Sequence, residues 1–383
     1  MLIGFDGRSF ATGRIEGMMV YNKNLLTRLS QDYPLNEYHL FFNSLTKDYK
    51  KIGFLDEQEN VKKIVMRIPT TGFDRVDTDL FFSRSLPLYL RKRKIDLFHG
   101  LQYFVPPEGR AKVVTTFHDL FALILPELHS SRIIDFRRHW YKLAIERSKL
   151  IISVSQSTKN DLMKYFNIAE DKIRVIHHGI ADNFGRVTDQ GRLAEVKSKY
   201  NLHYPFILAL GGRYGRKNNA QLIRAHSLLV QKGVSDIKLV FFGGAPGLID
   251  VWGHLINSLG LDGKVHFIYP IADDDLPTLY SLAQLFVYPS LYEGFGIPIL
   301  EAMKCGTPVI TSNVSSMPEV AGDAALLINP TDVNDLTSAI LKMLNDSELR
   351  QAYREKGLRR AAQFGWDKAV KETVRVYEEA LQI

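Results

Sequence analysis

The chain has 383 residues, 45% hydrophobic and 24% charged, a balance that excludes a disordered, collagen-like or membrane-bundle protein. At this length a chain generally divides, since single cores stop growing beyond about 250–300 residues, and two domains are expected. The formal charge of +7 (49 Lys and Arg against 42 Asp and Glu) lies wholly in residues 1–183, which hold 28 basic and 21 acidic side chains.

The single cysteine, Cys305, excludes an intrachain disulfide and a multi-cysteine zinc cluster, and it suits a reducing compartment. MLIGFDGRSF at the start carries no basic stretch followed by a long apolar run, and no run of about 18 apolar residues occurs. A cytoplasmic protein is expected. Arg91-Lys92-Arg93-Lys94 and Arg137-Arg138 fall on helix-like segments interleaved with apolar residues. They read first as solvated helix faces and second as a peripheral contact for an anionic membrane surface. No recognition motif for nucleic acid accompanies the charge.

In chain order, LIGFD, YHLFF, KKIVMRI, DLFHG, KVVTTFHD, KLIISVS and KIRVIHH read as buried strands. Helical-length segments such as Tyr21 to Asp32 and Ile133 to Ser148 lie between them, the pattern of a parallel sheet flanked by helices. The polar stretch Ala181 to Tyr204 reads as a linker, with the domain boundary at 183/184. The alternation then restarts: FILALGG, a helix from Asn219 to Lys232, KLVFFGG, a helix from Leu248 to Leu259, KVHFIYP, a helix from Leu276 to Ala283, LFVYPS, a helix from Pro298 to Lys304, PVITS and ALLINP. Six strands with crossover helices make a second doubly wound α/β domain, residues 184–365. A last helix, 366–383, carries Ala369, Val370, Val374, Tyr377 and Leu381 at helical spacing and needs a surface to bury them, for which the first domain is the candidate. Open α/β sheets bind ligands at the carboxyl ends of their strands, so the chemistry is expected in a cleft between the two domains.

The densest signal is PSLYEGFGIPILEAMKCGTPVITS, Pro289 to Ser312. Gly294 and Gly296 around Phe295 permit a turn that other residues resist. Pro298 suits the first turn of a helix and Gly306 its end, and a helix start favours a diphosphate. Glu293 before the turn and Glu301 inside the helix would reach different parts of one extended ligand. A lone GxG would be loop shaping and nothing more; the two flanking carboxylates make the pattern specific.

These residues resemble the retaining glycosyltransferases of family 4, whose fold is GT-B: two Rossmann-like domains facing a central cleft. The E-x7-E pattern falls on Glu293 and Glu301, and TTFHDL, KLIISVSQSTKNDL, IRVIHHGI and GRYGRKN extend the likeness over nearly the whole chain. Within the family the chain is most similar to bacterial mannosyltransferases of surface-polysaccharide assembly. The resemblance implies that Glu293 faces the donor sugar, with the backbone of Gly294, Phe295, Gly296 and Ile297 beside sugar and diphosphate, and that Glu301 holds the ribose diol, for which an ionised carboxylate is a suitable acceptor. Arg213 and Lys217, with Arg216 between them, stand where the family places its diphosphate-binding cations. The match at TTFHDL implies a donor-sugar contact for His118, a residue that would otherwise read as structural, while Asp119 reads as a cap. Gly17, Met18 and Tyr21 align with a glycine-rich loop near the acceptor and phosphates. The family's pattern there is broken by Met18-Met19, which makes the loop contacts an open expectation.

No metal is implied. Asp273-Asp274-Asp275 reads as a helix cap, and His177-His178 as structural or cleft-lining, because neighbours on a strand face opposite ways. The expected reaction is transfer of a hexose, mannose first, from GDP-mannose or a UDP-hexose as co-substrate to a glycan or lipid-linked saccharide, with retention at the anomeric carbon. The competing readings are a nucleotide-sugar 2-epimerase, which would turn over the donor alone, and a non-catalytic nucleotide-sugar-binding protein.

Overall fold

A computed structural model describes residues 1–10, 17–43, 58–66, 81–212, 215–244 and 247–383. The chain packs into two compact units, one of residues 1–179 with 365–383, the other of residues 180–364.

The first unit is built on a seven-stranded sheet: β1 (Leu2–Asp6), β2 (Glu37–Asn43), β3 (Val61–Met66), β4 (Leu97–Gly100), β5 (Lys112–Phe117), β6 (Leu150–Ser153) and β7 (Ile173–Val175). Their order is β3-β2-β1-β4-β5-β6-β7 and every pairing is parallel. Strands buried on both faces need apolar residues throughout, and β4 and β6 are buried at every position. The helix Gly17–Asp32 supplies Tyr21, Leu25 and Leu29 at four-residue spacing to the core on one face. Its first turn comprises Gly17 to Val20, so the segment aligned with the family's glycine-rich loop is helical here; Met18-Met19 favour the helix that a glycine pair would disfavour.

The helix Trp366–Gln382 completes the same core. Trp366, Val370, Val374 and Tyr377 are buried with Tyr21, Leu25 and Leu29, and the helix lies against Gly17–Asp32, β5 and β6. Full burial of side chains of this size is each worth about 1.5–3 kcal/mol. Below it, His99 is fully buried and spanned by two hydrogen bonds, Nδ1 to the Tyr377 hydroxyl at 2.7 Å and Nε2 to Thr116 at 2.8 Å. Burial pushes its imidazole down to about 3, so it is neutral. Gly179 touches the start of this helix: a Cβ there would stand 2.5 Å from both Cγ and the backbone nitrogen of Trp366.

The second unit carries β8 (Phe206–Leu210), β9 (Lys238–Phe242), β10 (Val265–Ile268), β11 (Leu285–Tyr288), β12 (Val309–Ser312) and β13 (Ala325–Ile328). They form a parallel sheet in the order β10-β9-β8-β11-β12-β13, so β8 and β11 are adjacent at the reversal of strand order. Residues 181–204 are not the featureless linker the polarity suggests. They contain a helix, Gln190–Lys199, capped by Asp189, whose side chain accepts from the Arg192 amide at 2.7 Å. This helix also changes the role of Asp275. Its carboxylate caps nothing; it receives Arg192, Lys199 (2.7 Å) and the Tyr200 hydroxyl (2.6 Å), tying the helix to the sheet unit. Two further helices, Val333–Asn345 and Ser347–Ala361, follow β13.

The basic clusters of the first unit behave differently from one another. Arg91 to Lys94 are all exposed, as is Arg138. Arg137 instead is half-buried, with its guanidinium 5.9 Å from the Tyr103 ring centroid. No helix among the described residues is long and apolar enough to cross a membrane.

Candidate functional site

In the second unit the candidate site forms after β8 and β11, at the carboxyl end of the sheet where strand order reverses. Two backbone segments meet there. Gly215–Lys217 is a single 3-10 turn, ended by Asn218 in the left-handed conformation at φ 58°. The Asn218 side chain donates to the carbonyls of Pro289 (3.1 Å) and Pro330 (2.6 Å), and the Leu291 amide donates to the Arg216 carbonyl at 2.9 Å. These bonds fix the turn against the segment that follows β11.

That second segment, Pro289 to Gly296, is held from behind by hydroxyls. Ser316, fully buried, donates to the carbonyls of Glu293 (2.9 Å) and Phe295 (2.7 Å). Ser315 donates to the Glu293 carbonyl at 2.5 Å, and Ser312 to that of Ser290 at 2.7 Å. Of the two glycines around Phe295, Gly296 is the one that needs its freedom, at φ 103°, and it caps the helix Ile297–Lys304. Pro298 stands in the first turn of that helix, and Gly306 follows its end at φ 74°. The Phe295 ring is buried, its centroid 5.9 Å from that of Phe364.

Glu293 is the electrostatic centre. It is 6% exposed, its Oε1 lies 2.8 Å from Lys217 Nζ, and its Oε2 lies 3.2 Å from Arg216 Nη1. Burial by itself would raise this carboxyl. The charges of Lys217 and Arg216, with hydrogen bonds from Lys217 and Tyr288, outweigh burial and bring the carboxyl down to about 2. The arrangement is a fixed carboxylate flanked by two cations, in a place where charge–charge interactions are stronger than in water. Arg213, the third cation expected here, lies outside the described residues.

Glu301 is in a different environment. It has no cationic partner of the Glu293 kind; Oε2 accepts from the Tyr280 hydroxyl at 3.0 Å. Burial raises its carboxyl to about 7, with the Tyr280 bond opposing and Asp273 adding to the rise. The two carboxylates of the E-x7-E pattern are thus held in opposite protonation regimes, as expected of groups meeting different parts of a ligand. Cys305, next to this helix, is buried and its thiol is pushed up to about 12 by that burial, so it has no nucleophilic character.

In the first unit the structure brings Tyr21, His118 and His178 together. The Tyr21 ring lies 4.9 Å from His118, edge-on, and 4.6 Å from His178. Burial raises its phenol to about 12. His118 Nε2 donates to the Leu101 carbonyl at 2.9 Å, which places the ring proton on Nε2 and leaves Nδ1 as the acceptor. Burial lowers its pKa, so the imidazole is neutral at pH 7. Asp119 caps as expected, accepting from the Phe121 amide at 3.1 Å. Gly17 and Met18 stand one turn before Tyr21 on the same helix. His178 is buried against Tyr21 and His118 while His177 is not, in line with opposite facing. Among the described residues no group of three or more His, Cys, Asp or Glu could hold a metal ion.

Sequence reasoning did not find Tyr288, Tyr280, Ser315 or Ser316. Tyr288 and Tyr280 read as strand and helix core, and the serines as loop. Only their hydrogen bonds distinguish them, Tyr288 accepting from Lys217, Tyr280 donating to Glu301 and the two serines donating to the loop.

Comparison with known proteins agrees with this geometry. Residues 17–184 match the model of glycosyltransferase family 4, and residues 194–360 that of glycosyl transferases group 1. The chain is 33% identical over 290 residues to the O-antigen chain mannosyltransferase B of Escherichia coli, covering 76% of each chain. Among solved structures it resembles a sucrose-phosphate synthase of Thermosynechococcus elongatus, with TM-score 0.80 and 21% identity over 99% of this chain and 98% of that one. It also resembles the Anabaena protein HepE, in complex with UDP-glucose, with TM-score 0.75 and 18% identity over 99% of both. These likenesses establish the GT-B fold, and with the matched models and the 33% relative they make the chain a member of the family 4 glycosyltransferases.

Proposed function

We propose that this hexosyltransferase moves mannose from a nucleotide diphosphate sugar to a hydroxyl of a glycan or lipid-linked saccharide, in the assembly of a cell-surface polysaccharide. The observation that carries the reading is the buried Glu293 carboxylate between Lys217 and Arg216. A transferred sugar develops positive charge at its anomeric centre while the leaving diphosphate gains negative charge. One fixed anion beside two fixed cations complements that separation before the reaction begins. The mannosyl assignment is supported by the Escherichia coli relative, and a UDP-hexose is the alternative donor, as in the HepE complex.

Lys217 and Arg216 stabilise the leaving diphosphate, in the role that a metal ion fills elsewhere. Glu293 faces the sugar, with the backbone of Gly294 to Ile297 along the diphosphate, and Glu301 holds the ribose diol. His118, neutral and with Nδ1 available as an acceptor, takes a sugar hydroxyl. Retention comes from attack on the face the diphosphate leaves, with a leaving phosphate oxygen receiving the acceptor proton; among the described residues of the site no side chain is an exposed, activated nucleophile. The enzyme positions and neutralises. The exposed Arg91 to Lys94 suit a peripheral contact with an anionic membrane from the cytoplasmic side, where a lipid-linked acceptor would stand.

A panel of nucleotide sugars tests the reading. GDP-mannose is expected to raise the unfolding temperature most and to be hydrolysed slowly, because a ligand that binds only the folded state stabilises it. A mannosyl product of the donor's own anomeric configuration, formed without added metal, is expected by nuclear magnetic resonance. Stabilisation by no nucleotide sugar would sink the assignment.

A further inference from the structure

The geometry points to Tyr288 as a positioning residue of the transfer reaction, its hydroxyl giving the Lys217 ammonium a second anchor beside the Glu293 carboxylate. This inference rests on the roles proposed above for those two residues.

Tyr288 is the last residue of β11 and is 2% exposed. It pairs in register with Thr311 of β12, whose hydroxyl donates to the Tyr288 carbonyl at 2.8 Å. Its ring stacks on Phe286, centroids 5.8 Å apart and planes at 21°. Backbone and ring are therefore fixed by the sheet, and the hydroxyl occupies a defined point at the sheet's carboxyl end. Lys217 Nζ donates to that hydroxyl and also lies 4.8 Å from the ring centroid. The same ammonium also donates to Oε1 of Glu293 at 2.8 Å, so it is held between the phenol and the carboxylate. Burial and the Glu293 charge push the phenol well above its ordinary value, so it remains a neutral hydroxyl.

This second anchor solves a problem that a bare ion pair would create. With Glu293 as its main anchor, the Lys217 ammonium would close on the carboxylate. The phenol gives the ammonium a second, neutral acceptor, so that its position is set by the sheet as well as by the carboxylate. A tyrosine serving only to fill space between Phe286 and the Lys217 stem would need no hydroxyl. Because the leaving group gains negative charge on the way from bound donor to transition state, misplacement of the ammonium is felt in kcat rather than in donor binding.

Replacing Tyr288→Phe keeps the ring, its stacking and its contact with the ammonium, and removes only the hydroxyl that accepts from Lys217. With the full-length chain and GDP-mannose, kcat for donor turnover is expected to fall about 10- to 100-fold, the loss of a hydrogen bond to charged groups, with the donor KM within about threefold of wild type. In a Lys217→Ala background the same change is expected to add almost nothing, because the two residues act as one unit. An unchanged kcat, an effect confined to KM, or full additivity with Lys217→Ala would each overturn the inference. A wild-type chain that turns over no nucleotide sugar removes the functional reading and this inference with it. An active wild type beside an unimpaired Tyr288→Phe removes the inference alone.

Discussion

Lys217 Nζ lies 2.8 Å from Oε1 of Glu293 in a site where the carboxylate is 6% exposed, so neither charge can be removed without leaving the other short of a partner. Glu293→Gln keeps the shape and deletes the anion; Lys217→Ala deletes one of the cations. Each is expected to lower kcat/KM by about 100-fold or more, the scale for loss of a preorganised electrostatic group. Steady-state turnover of GDP-mannose measures it, and wild-type rates in both variants would be incompatible with the proposed site.

Glu301 titrates in the working range. Its carboxyl is raised to about 7 by burial, and an ionised carboxylate is the better acceptor for a ribose diol. The donor KM is therefore expected to rise as pH falls through 7. Tyr280→Phe removes the bond that opposes the rise, so the midpoint should move further up, and the variant's weaker donor binding at pH 7 should recover at higher pH. A KM that is flat from pH 6 to 9 would refute this.

The same two glutamates make opposite contributions to stability against pH. Glu301, with its folded pKa above the ordinary 4.5, binds its proton more tightly when folded; its contribution is fully present below about 4.5 and is lost as pH rises through 7. Glu293, depressed to about 2, contributes above 4.5 and loses that contribution as pH falls towards 2. Urea unfolding of Glu301→Gln is expected to improve relative to wild type between pH 5 and 8. The reverse trend would show that burial does not govern this carboxyl.

Ser316 holds the loop from beneath through the carbonyls of Glu293 and Phe295. Ser316→Ala removes the hydroxyl shared by the two carbonyls, of which that of Glu293 keeps Ser315, and is expected to cost about 1–3 kcal/mol, with lower transfer activity because the loop is held less firmly. Paired urea unfolding and turnover measurements separate the two effects. Loss of stability with full activity would mean that the loop keeps its shape without the hydroxyl.

Gly179→Ala tests the packing of the helix Trp366–Gln382. A Cβ 2.5 Å from the Trp366 backbone cannot be absorbed by a side-chain rotation, so the start of the helix must shift. A loss of about 1–3 kcal/mol is expected, read as earlier quenching of Trp366 fluorescence on unfolding in a background where Trp140 and Trp252 are replaced by Phe. Wild-type unfolding would contradict the contact.

Much of this architecture was legible in residue order because fully buried parallel strands must be apolar throughout: the seven strands of the first unit and the six of the second match the runs from LIGFD to ALLINP. Glu293 was legible because it flanks the glycine turn in the E-x7-E pattern, and Lys217 and Arg216 only through the family resemblance at GRYGRKN. Tyr288 and Tyr280 were not, since a tyrosine in a strand or beside a core helix satisfies the apolar pattern whatever its hydroxyl does. The helix Gln190–Lys199 was hidden because it buries little beyond Val196 and is held mainly by polar bonds from Arg192 and Lys199 to Asp275. Ser347–Ala361 escaped for a related reason: its charges are spread around its whole circumference, so no apolar stripe marks it.

The helix of residues 366–382 belongs to the first unit yet follows the whole of the second. During synthesis, the core around Tyr21, Leu25 and Leu29 therefore lacks Trp366, Val370 and Tyr377 until some 185 intervening residues, 180–364, have been made. The unit translated first is thus the one completed last, and the sugar-nucleotide half is free to fold while its partner still exposes an unfinished apolar face.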